Sequence, residues 1–201
     1  MPEEIGLFEA MYTQRAIRYL KPDPVPDELI QKILDAAIRA PSGGNTQQWA
    51  FLVIRDQETK RKIAERFRSA RGTRTSPDMS PREQRIYRGV DYMAQHLEEV
   101  PVFIVPCIRH DGSPSTMGRG ASIYPAVQNI LLAARGLGLG SVLTSRHKMF
   151  EDEFKEILGI PQNVETAALL PIGYLADGVR YGPNRRDPVE EVTFYDRWGN
   201  T

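Results

Sequence analysis

This 201-residue chain is poor in the residues that usually announce chemistry: it has one cysteine, three histidines and no net charge, with 26 Lys and Arg against 26 Asp and Glu. A single cysteine excludes an internal disulfide. Cys107 lies in the apolar run Val102-Phe-Ile-Val-Pro-Cys-Ile108, which reads as the setting of a buried structural thiol rather than a nucleophile. The charge balance removes any whole-molecule argument for nucleic acid or an anionic membrane as a partner. No apolar run approaches the roughly 20 residues that span a bilayer, and Met1-Pro-Glu-Glu is acidic where a secretion signal is basic, so the sequence predicts a soluble, cytoplasmic protein with no membrane partner. His96, His110 and His147 are scattered, and no HExxH, CxxC or G-x-S-x-G occurs. A chain with neither triad nor metal set points to a cofactor that brings its own chemistry.

The length and the 41% of hydrophobic residues suit one domain, residues 1–201, with a sizeable core. Helical spacing recurs at Ile5, Phe8, Met11 and Tyr12, over residues 27–40, at Ile63, Ala64 and Phe67, and at Ile86, Val90, Met93 and Leu97. Short β-rich runs come at 50–54, 102–108, 141–144 and 166–174. The interleaving predicts a layered α/β or α+β domain on a central sheet. Pro106 and Pro171 each require a strand edge, a bulge or a strand end. Residues 123–137 are apolar on more than one face, which makes them a buried central helix or one face of a subunit interface, and a dimer is plausible.

Four stretches could meet a ligand. Ala40-Pro-Ser-Gly-Gly-Asn-Thr-Gln-Gln-Trp49 joins a helix to a strand through small and amide residues. Gly43 and Gly44 let backbone approach a planar or anionic group, and Ser42, Asn45 and Gln47 supply donors and acceptors. A polar-capped glycine turn is the plainer reading. Arg15 and Arg18 follow the first helix, and Arg185 and Arg186 lie near the far end; the guanidinium fork suits phosphate, so both chain ends could converge on one. Gly136-Leu-Gly-Leu-Gly140 fails as a dinucleotide fingerprint, because a helix precedes it and a strand follows; helix capping and a tight turn explain it. Between residues 60 and 88, ten Lys and Arg face Glu65, Asp78 and Glu83. This stretch reads either as two solvated helix faces joined by a mobile loop, or as a lid over residues 71–81 that attracts a phosphate-bearing cosubstrate. Aromatic interleaving is too sparse for a nucleic-acid surface.

In this order the segments resemble the nitroreductase superfamily of FMN-dependent, NAD(P)H-oxidising flavoproteins, across almost the whole chain. The resemblance rests on Thr13-Gln-Arg-Ala-Ile-Arg-Tyr-Leu-Lys-Pro22, Val25-Pro-Asp-Glu-Leu29, the 40–49 loop, Ala121-Ser-Ile-Tyr-Pro-Ala-Val-Gln-Asn129, Gly136-Leu-Gly-Leu-Gly140, Leu170-Pro-Ile-Gly-Tyr174 and Arg185-Arg-Asp-Pro188. It implies an α+β sandwich, a mixed central sheet flanked by helices, assembled as an intertwined homodimer whose extended C-terminal segment, 189–195, adds a strand to the partner's sheet. It implies FMN bound by Arg15, Arg18, Arg185 and Arg186, by Ser42, Gly43, Gly44 and Asn45 from one subunit, and by the backbone of Leu143, Thr144 and Ser145. Gln14 and Ala16 stand where the family often has Arg and Ser, so one phosphate or ribityl contact is missing or replaced by the Gln14 amide. The implied activity passes hydride from NAD(P)H through FMN to a nitroaromatic, quinone or similar small acceptor by a ping-pong mechanism, with no catalytic side chain and no metal. The alternatives are a specialised flavoprotein of the same fold, of the dehalogenase, flavin-cleaving or ene-reducing kind, and a non-catalytic FMN-storage protein.

Overall fold

A computed structural model describes residues 5–70 and 78–200. The sheet is built around β2 (Val102–Arg109), the apolar run that holds Cys107. β1 (Trp49–Ile54) pairs with it antiparallel along one edge, from Trp49 opposite Ile108 to Ile54 opposite Phe103. Its other edge is shared by β5 (Leu170–Gly173) and β4 (Val164–Thr166), both antiparallel. The short β3 (Gly140–Ser141) closes the far side against β5, giving the order β1-β2-β5-β3.

Strand alternation sorts β2 onto two cores. Val102, Ile104 and Ile108 join Ile30 and Ile33 of α2 (Asp27–Ala37) and Ile130 of α6 (Tyr124–Gly136). Phe103, Val105 and Cys107 join Phe67 of α3 (Gln57–Ser69), Met93 of α4 (Pro81–Gln95) and Phe154 of α7 (Glu151–Leu158). The layers are therefore α2 and α6, the sheet, then α3, α4 and α7. A strand buried on both faces must be apolar throughout, which is why β2 does not alternate in sequence. Cys107 is fully buried and its thiol is pushed up to about 12 by burial, so it packs and does not react.

Pro106 sits mid-strand in β2. Its carbonyl accepts from Ala167 N–H at 2.8 Å, so its missing N–H faces the β4–β5 side. There the register slips by one residue, from Cys107 opposite Thr166 to Ile104 opposite Leu170, and the partner strand bulges where no donor exists. The 166–174 run is accordingly split in two, and the expected strand 141–144 shortens to Gly140–Ser141 because Thr144 turns back to pair with Leu169. The helix expected over 27–40 closes at Ala37, and tight turns carry the chain to Pro41.

Past α1 (Leu7–Thr13), the N-terminal segment joins the β3 edge in parallel: Ala16 bridges Ser141, and Ile17 N–H donates to Ser141 O at 3.0 Å. Gly140 permits this approach, since a Cβ there would lie 2.7 Å from Leu20 Cδ2 and 2.8 Å from Ile17 Cγ2. The C-terminal tail returns to the same edge. Gly182 and Asn184 N–H donate to Thr13 O and Tyr12 O at 2.7 and 3.0 Å, and beyond them Val189–Val192 forms a 3-10 turn.

Candidate functional site: an arginine junction at the β3 edge

The tail and the segment after α1 bring the two arginine pairs to one place. Asn184 Nδ2 donates to Gln14 O, and Arg15 grips Arg180 O with Nε at 3.0 Å and Nη2 at 2.6 Å. From α6, Arg135 secures the junction: it donates to Thr13 Oγ1 at 2.8 Å, pairs with Glu9 at 3.2 Å and stacks 3.9 Å from the Tyr181 ring centre. Arg185 and Arg186 follow directly, both exposed, with no ion pair among the described residues.

Arg15 and Arg18 leave opposite sides of the extended segment on either side of buried Ile17. Arg15 meets the tail. Arg18 turns to α4, where its Cδ lies 3.4 Å and its Cβ 3.9 Å from where a Gly89 Cβ would be. Arg18 is half-buried, has no carboxylate partner among the described residues, and burial lowers its pKa. A guanidinium removed from water without a counter-charge is a group that an anion would complete.

A different face of α4 from the one that meets Arg18 lines a cavity of about 430 Å³, through Tyr87 and Val90, together with Leu143, Thr144 and Ser145. Thr144 N–H and C=O are both engaged with Leu169, at 3.1 and 2.9 Å, and its hydroxyl accepts from Arg146 N–H. Backbone contact to a ligand must therefore come from the exposed flanks Leu143 and Ser145. Ala16 is occupied by its bridge to Ser141, and the Gln14 side chain makes no hydrogen bond among the described residues.

Ser42, Gly43, Gly44 and Asn45 lie elsewhere. Their loop leads into β1, at the opposite sheet edge, and no hydrogen bond among the described residues joins them to the arginines. Gly44, Asn45 and Gln47 all have positive φ, of 55, 54 and 50°. Ser42 Oγ accepts from Gln47 N–H at 3.1 Å and Ser122 Oγ from Gly43 N–H at 3.0 Å. Nothing in the sequence marked Ser122, 79 residues away, as the anchor of this loop. Beside it, a cavity of about 500 Å³ is floored by Ile108 and Ala167, with Arg119 and Glu165 on its wall. Unlike Arg18, Arg119 is fully engaged: it pairs with Glu165 at 2.9 Å and donates to Ser113. Burial would raise the Glu165 carboxyl, but its bonds to Arg119 and Ser115 outweigh that and hold it below the usual range.

His147, in the turn after Ser145, is fully buried; its Nε2 lies 3.0 Å from Thr166 Oγ1, which donates to Glu151 at 2.8 Å. Burial pushes its pKa down to about 4, so it is neutral and structural. Among the described residues no group of three His, Cys, Asp or Glu could hold a metal, and no helix is long and apolar enough to cross a membrane. Residues 71–77, the greater part of the proposed lid, lie outside the described residues.

Residues 15–18 and the 180–186 tail thus bring arginines to one sheet edge of an α+β sandwich, and Arg18, Arg185 and Arg186 have no ion pair among the described residues. The chain belongs to the Nitroreductase family, whose sequence profile matches residues 12–174. It is 30% identical over 201 residues to an NADH dehydrogenase of Thermus thermophilus, covering 92% of this chain and 94% of the relative. Rat iodotyrosine deiodinase 1 is 26% identical over 199 residues, covering 92% of this chain and 67% of that protein. The fold matches the crystal structure of oxidized iodotyrosine deiodinase bound to FMN and 3-iodo-L-tyrosine, with a TM-score of 0.75, 24% identity, and coverage of 94% of this chain and 100% of that one.

Proposed function

We propose that this protein is an FMN-dependent oxidoreductase that takes reducing equivalents from NAD(P)H and delivers them to a nitroaromatic, quinone or similar acceptor. The observation that carries the reading is the junction itself: Arg15 tied to the C-terminal tail, Arg185 and Arg186 exposed a few residues further on, and Arg18, half-buried with no ion pair among the described residues, on the other side of the same extended segment. These residues fit a phosphate-bearing planar cofactor, because guanidinium forks pair with phosphate oxygens and a flat apolar wall accepts a ring. FMN supplies the two-electron redox chemistry when bound.

The chain's own contribution is placement and charge. Arg186 and Arg15 bind at the sheet edge, Arg18 offsets negative charge from beside α4, and Tyr87 and Val90 exclude water from the cavity bordered by Leu143 and Ser145. The 42–45 loop is too far along the sheet to reach this cavity in its own chain, so the reading requires a second copy to present it. Leu7, Phe8 and Tyr12 on α1 are each more than 60% exposed, as are Val189, Val192 and Tyr195, and such apolar faces suit an interface. The site is thus proposed as one of two in a homodimer of a single-domain, cytoplasmic protein, with the tail laid on the partner.

The 26% identity to iodotyrosine deiodinase favours a second reading, a specialised dehalogenating member of the same fold. Anaerobic mixing with NADH or NADPH, followed by a panel of nitro, quinone and halotyrosine acceptors, tests both. Bleaching of the flavin by the nicotinamide and its recovery on adding a nitro or quinone acceptor is the expected result. Recovery with halotyrosine alone selects the second reading, and no bleaching defeats both.

A further inference from the structure

Past Asn184 the C-terminal tail has no packing of its own. Residues 185–192 are all exposed, and the one hydrogen bond of the Arg186 side chain among the described residues goes to Arg185 O, at 2.9 Å. The placement of Arg185 and Arg186 is therefore inherited from residues 180–184, so whatever fixes that stretch fixes the arginines. Two sets of contacts do so directly. Arg15 commits Nε and Nη2 to Arg180 O, and the N–H groups of Gly182 and Asn184 donate to Thr13 O and Tyr12 O at the end of α1.

Arg135 joins tail and helix from a third element. It stands in the last turn of α6, whose Ile130, Leu131 and Ala134 are buried in the core, so its backbone is firmly held. Only 11% of its side chain is exposed. Its Nε donates to Thr13 Oγ1 at 2.8 Å, on the same residue whose carbonyl receives Gly182 N–H at 2.7 Å. Its guanidinium carbon lies 3.9 Å from the centre of the Tyr181 ring, one residue before Gly182. The Tyr181 hydroxyl is buried and has no hydrogen-bond partner among the described residues, so the ring and not the phenol makes the contact. Burial pushes that phenol up to about 12, which keeps the ring neutral beside a permanent cation. The pair with Glu9, whose side chain is 55% exposed, contributes less.

Resting on the flavoprotein reading, we propose that Arg135 is a positioning residue for the flavin phosphate: through Tyr181 and Thr13 it clamps the tail to the end of α1 and so holds Arg185 and Arg186 where the phosphate binds. Its own donors face Thr13 and Glu9, so it acts through the tail. A guanidinium that stacks on a ring and donates sideways in the same plane is directional in a way that an aliphatic or amide side chain is not. Without the clamp the core of α6 stays packed, but residues 180–186 sample more positions, and the cost of ordering them then falls on phosphate binding.

Riboflavin is FMN without its phosphate, so the ratio of the two affinities reads phosphate binding alone. Equilibrium dialysis of the full chain against each flavin compares the wild type with R135Q, Y181L, Y181F and K32Q, the last removing an exposed charge from α2. The expected result is a wild-type preference for FMN that R135Q and Y181L each lower about tenfold, and that Y181F, which keeps the ring, and K32Q leave unchanged. Amide hydrogen exchange at Gly182 and Asn184 needs no flavin, and it should quicken in R135Q and Y181L while exchange in β2 stays slow. A wild type that holds FMN no better than riboflavin defeats the phosphate site itself, and this proposal with it. A wild-type preference that survives R135Q and Y181L overturns the clamp alone, even if both flavins bind more weakly, since an equal loss marks a merely structural role. A Y181F variant that behaves like Y181L, or unchanged exchange at Gly182 and Asn184, overturns it as well.

Discussion

Arg18 and Arg119 are both half-buried arginines, yet they stand in opposite states. Arg119 is closed by Glu165 and Ser113, and its neighbour Ser122 holds the 42–45 loop. Arg18 has no ion pair among the described residues, and Arg185 and Arg186, which follow the tail's contacts with Gln14 and Arg15, are equally open. A satisfied cation organises structure, whereas an unsatisfied, half-buried one is held ready for an anion. The β1 side of the molecule is therefore architectural in its charges, and the β3 side is where the proposed function puts the phosphate.

Breaking the satisfied side should damage stability most. Arg119→Ala leaves Glu165 half-buried without its partner and is expected to lower unfolding free energy by about 3 kcal/mol, read by urea denaturation. Its pH dependence sharpens the same point. His147 has a folded pKa near 4 against an ordinary value of 6.5, so the unfolded chain binds a proton that the folded one refuses. Stability is full above about pH 6.5 and falls as pH drops toward 4, by about 3 kcal/mol in all. The lowered Glu165 carboxyl acts in the same direction at more acid pH, since it too gains from its folded partners only while ionised. Denaturation at pH 7 and pH 5 checks this, and His147→Gln should flatten the difference.

On the open side the effect moves from stability to binding. Arg18→Ala and Arg186→Ala should each weaken FMN retention by about 1.5–3 kcal/mol while leaving the melting temperature nearly unchanged. Equilibrium dialysis reads the first quantity and thermal melting the second. A large loss of stability in Arg18→Ala would place it with Arg119 and erase the distinction. Gly182→Ala tests the junction from the tail, because its Cβ would lie 2.8 Å from Thr13 Cα and 2.9 Å from Tyr12 O, both rigid backbone. It should loosen residues 182–186 and reduce FMN affinity by about 1–2 kcal/mol. The smallest effect belongs to Ser122→Ala, which frees Gly43 N–H at about 1 kcal/mol in cofactor affinity, read by the same dialysis.

The helices and the central strand were legible in the sequence because burial leaves a pattern there: α2 repeats every three or four residues and β2 is apolar from Val102 to Ile108. The shortened β3 was not, since Thr144 is taken by Leu169 through a long-range pairing that no local pattern encodes. The split of β4 from β5 was half-legible, for Pro106 required a strand edge, a bulge or a strand end, and only the fold shows that it is a bulge and that the partner strand carries it. At the site, residue types pointed to Arg15, Arg18 and Arg186 as phosphate groups, and the resemblance supplied their family. What sequence could not supply was which cations are already paired. Glu165 and Arg119 are 46 residues apart, and on α3 the pairs of Arg61 and Lys62 with Glu58 follow helical spacing whereas those of Arg66 with Glu153 and Arg68 with Glu98 emerge only once the chain is folded.

The central claim, that the open arginines await a flavin phosphate, is tested most directly by the visible absorption spectrum of the purified protein, with chromatographic identification of whatever denaturation releases. The account predicts a yellow protein that yields FMN at about one per chain. A colourless protein that also fails to take up added FMN would contradict it.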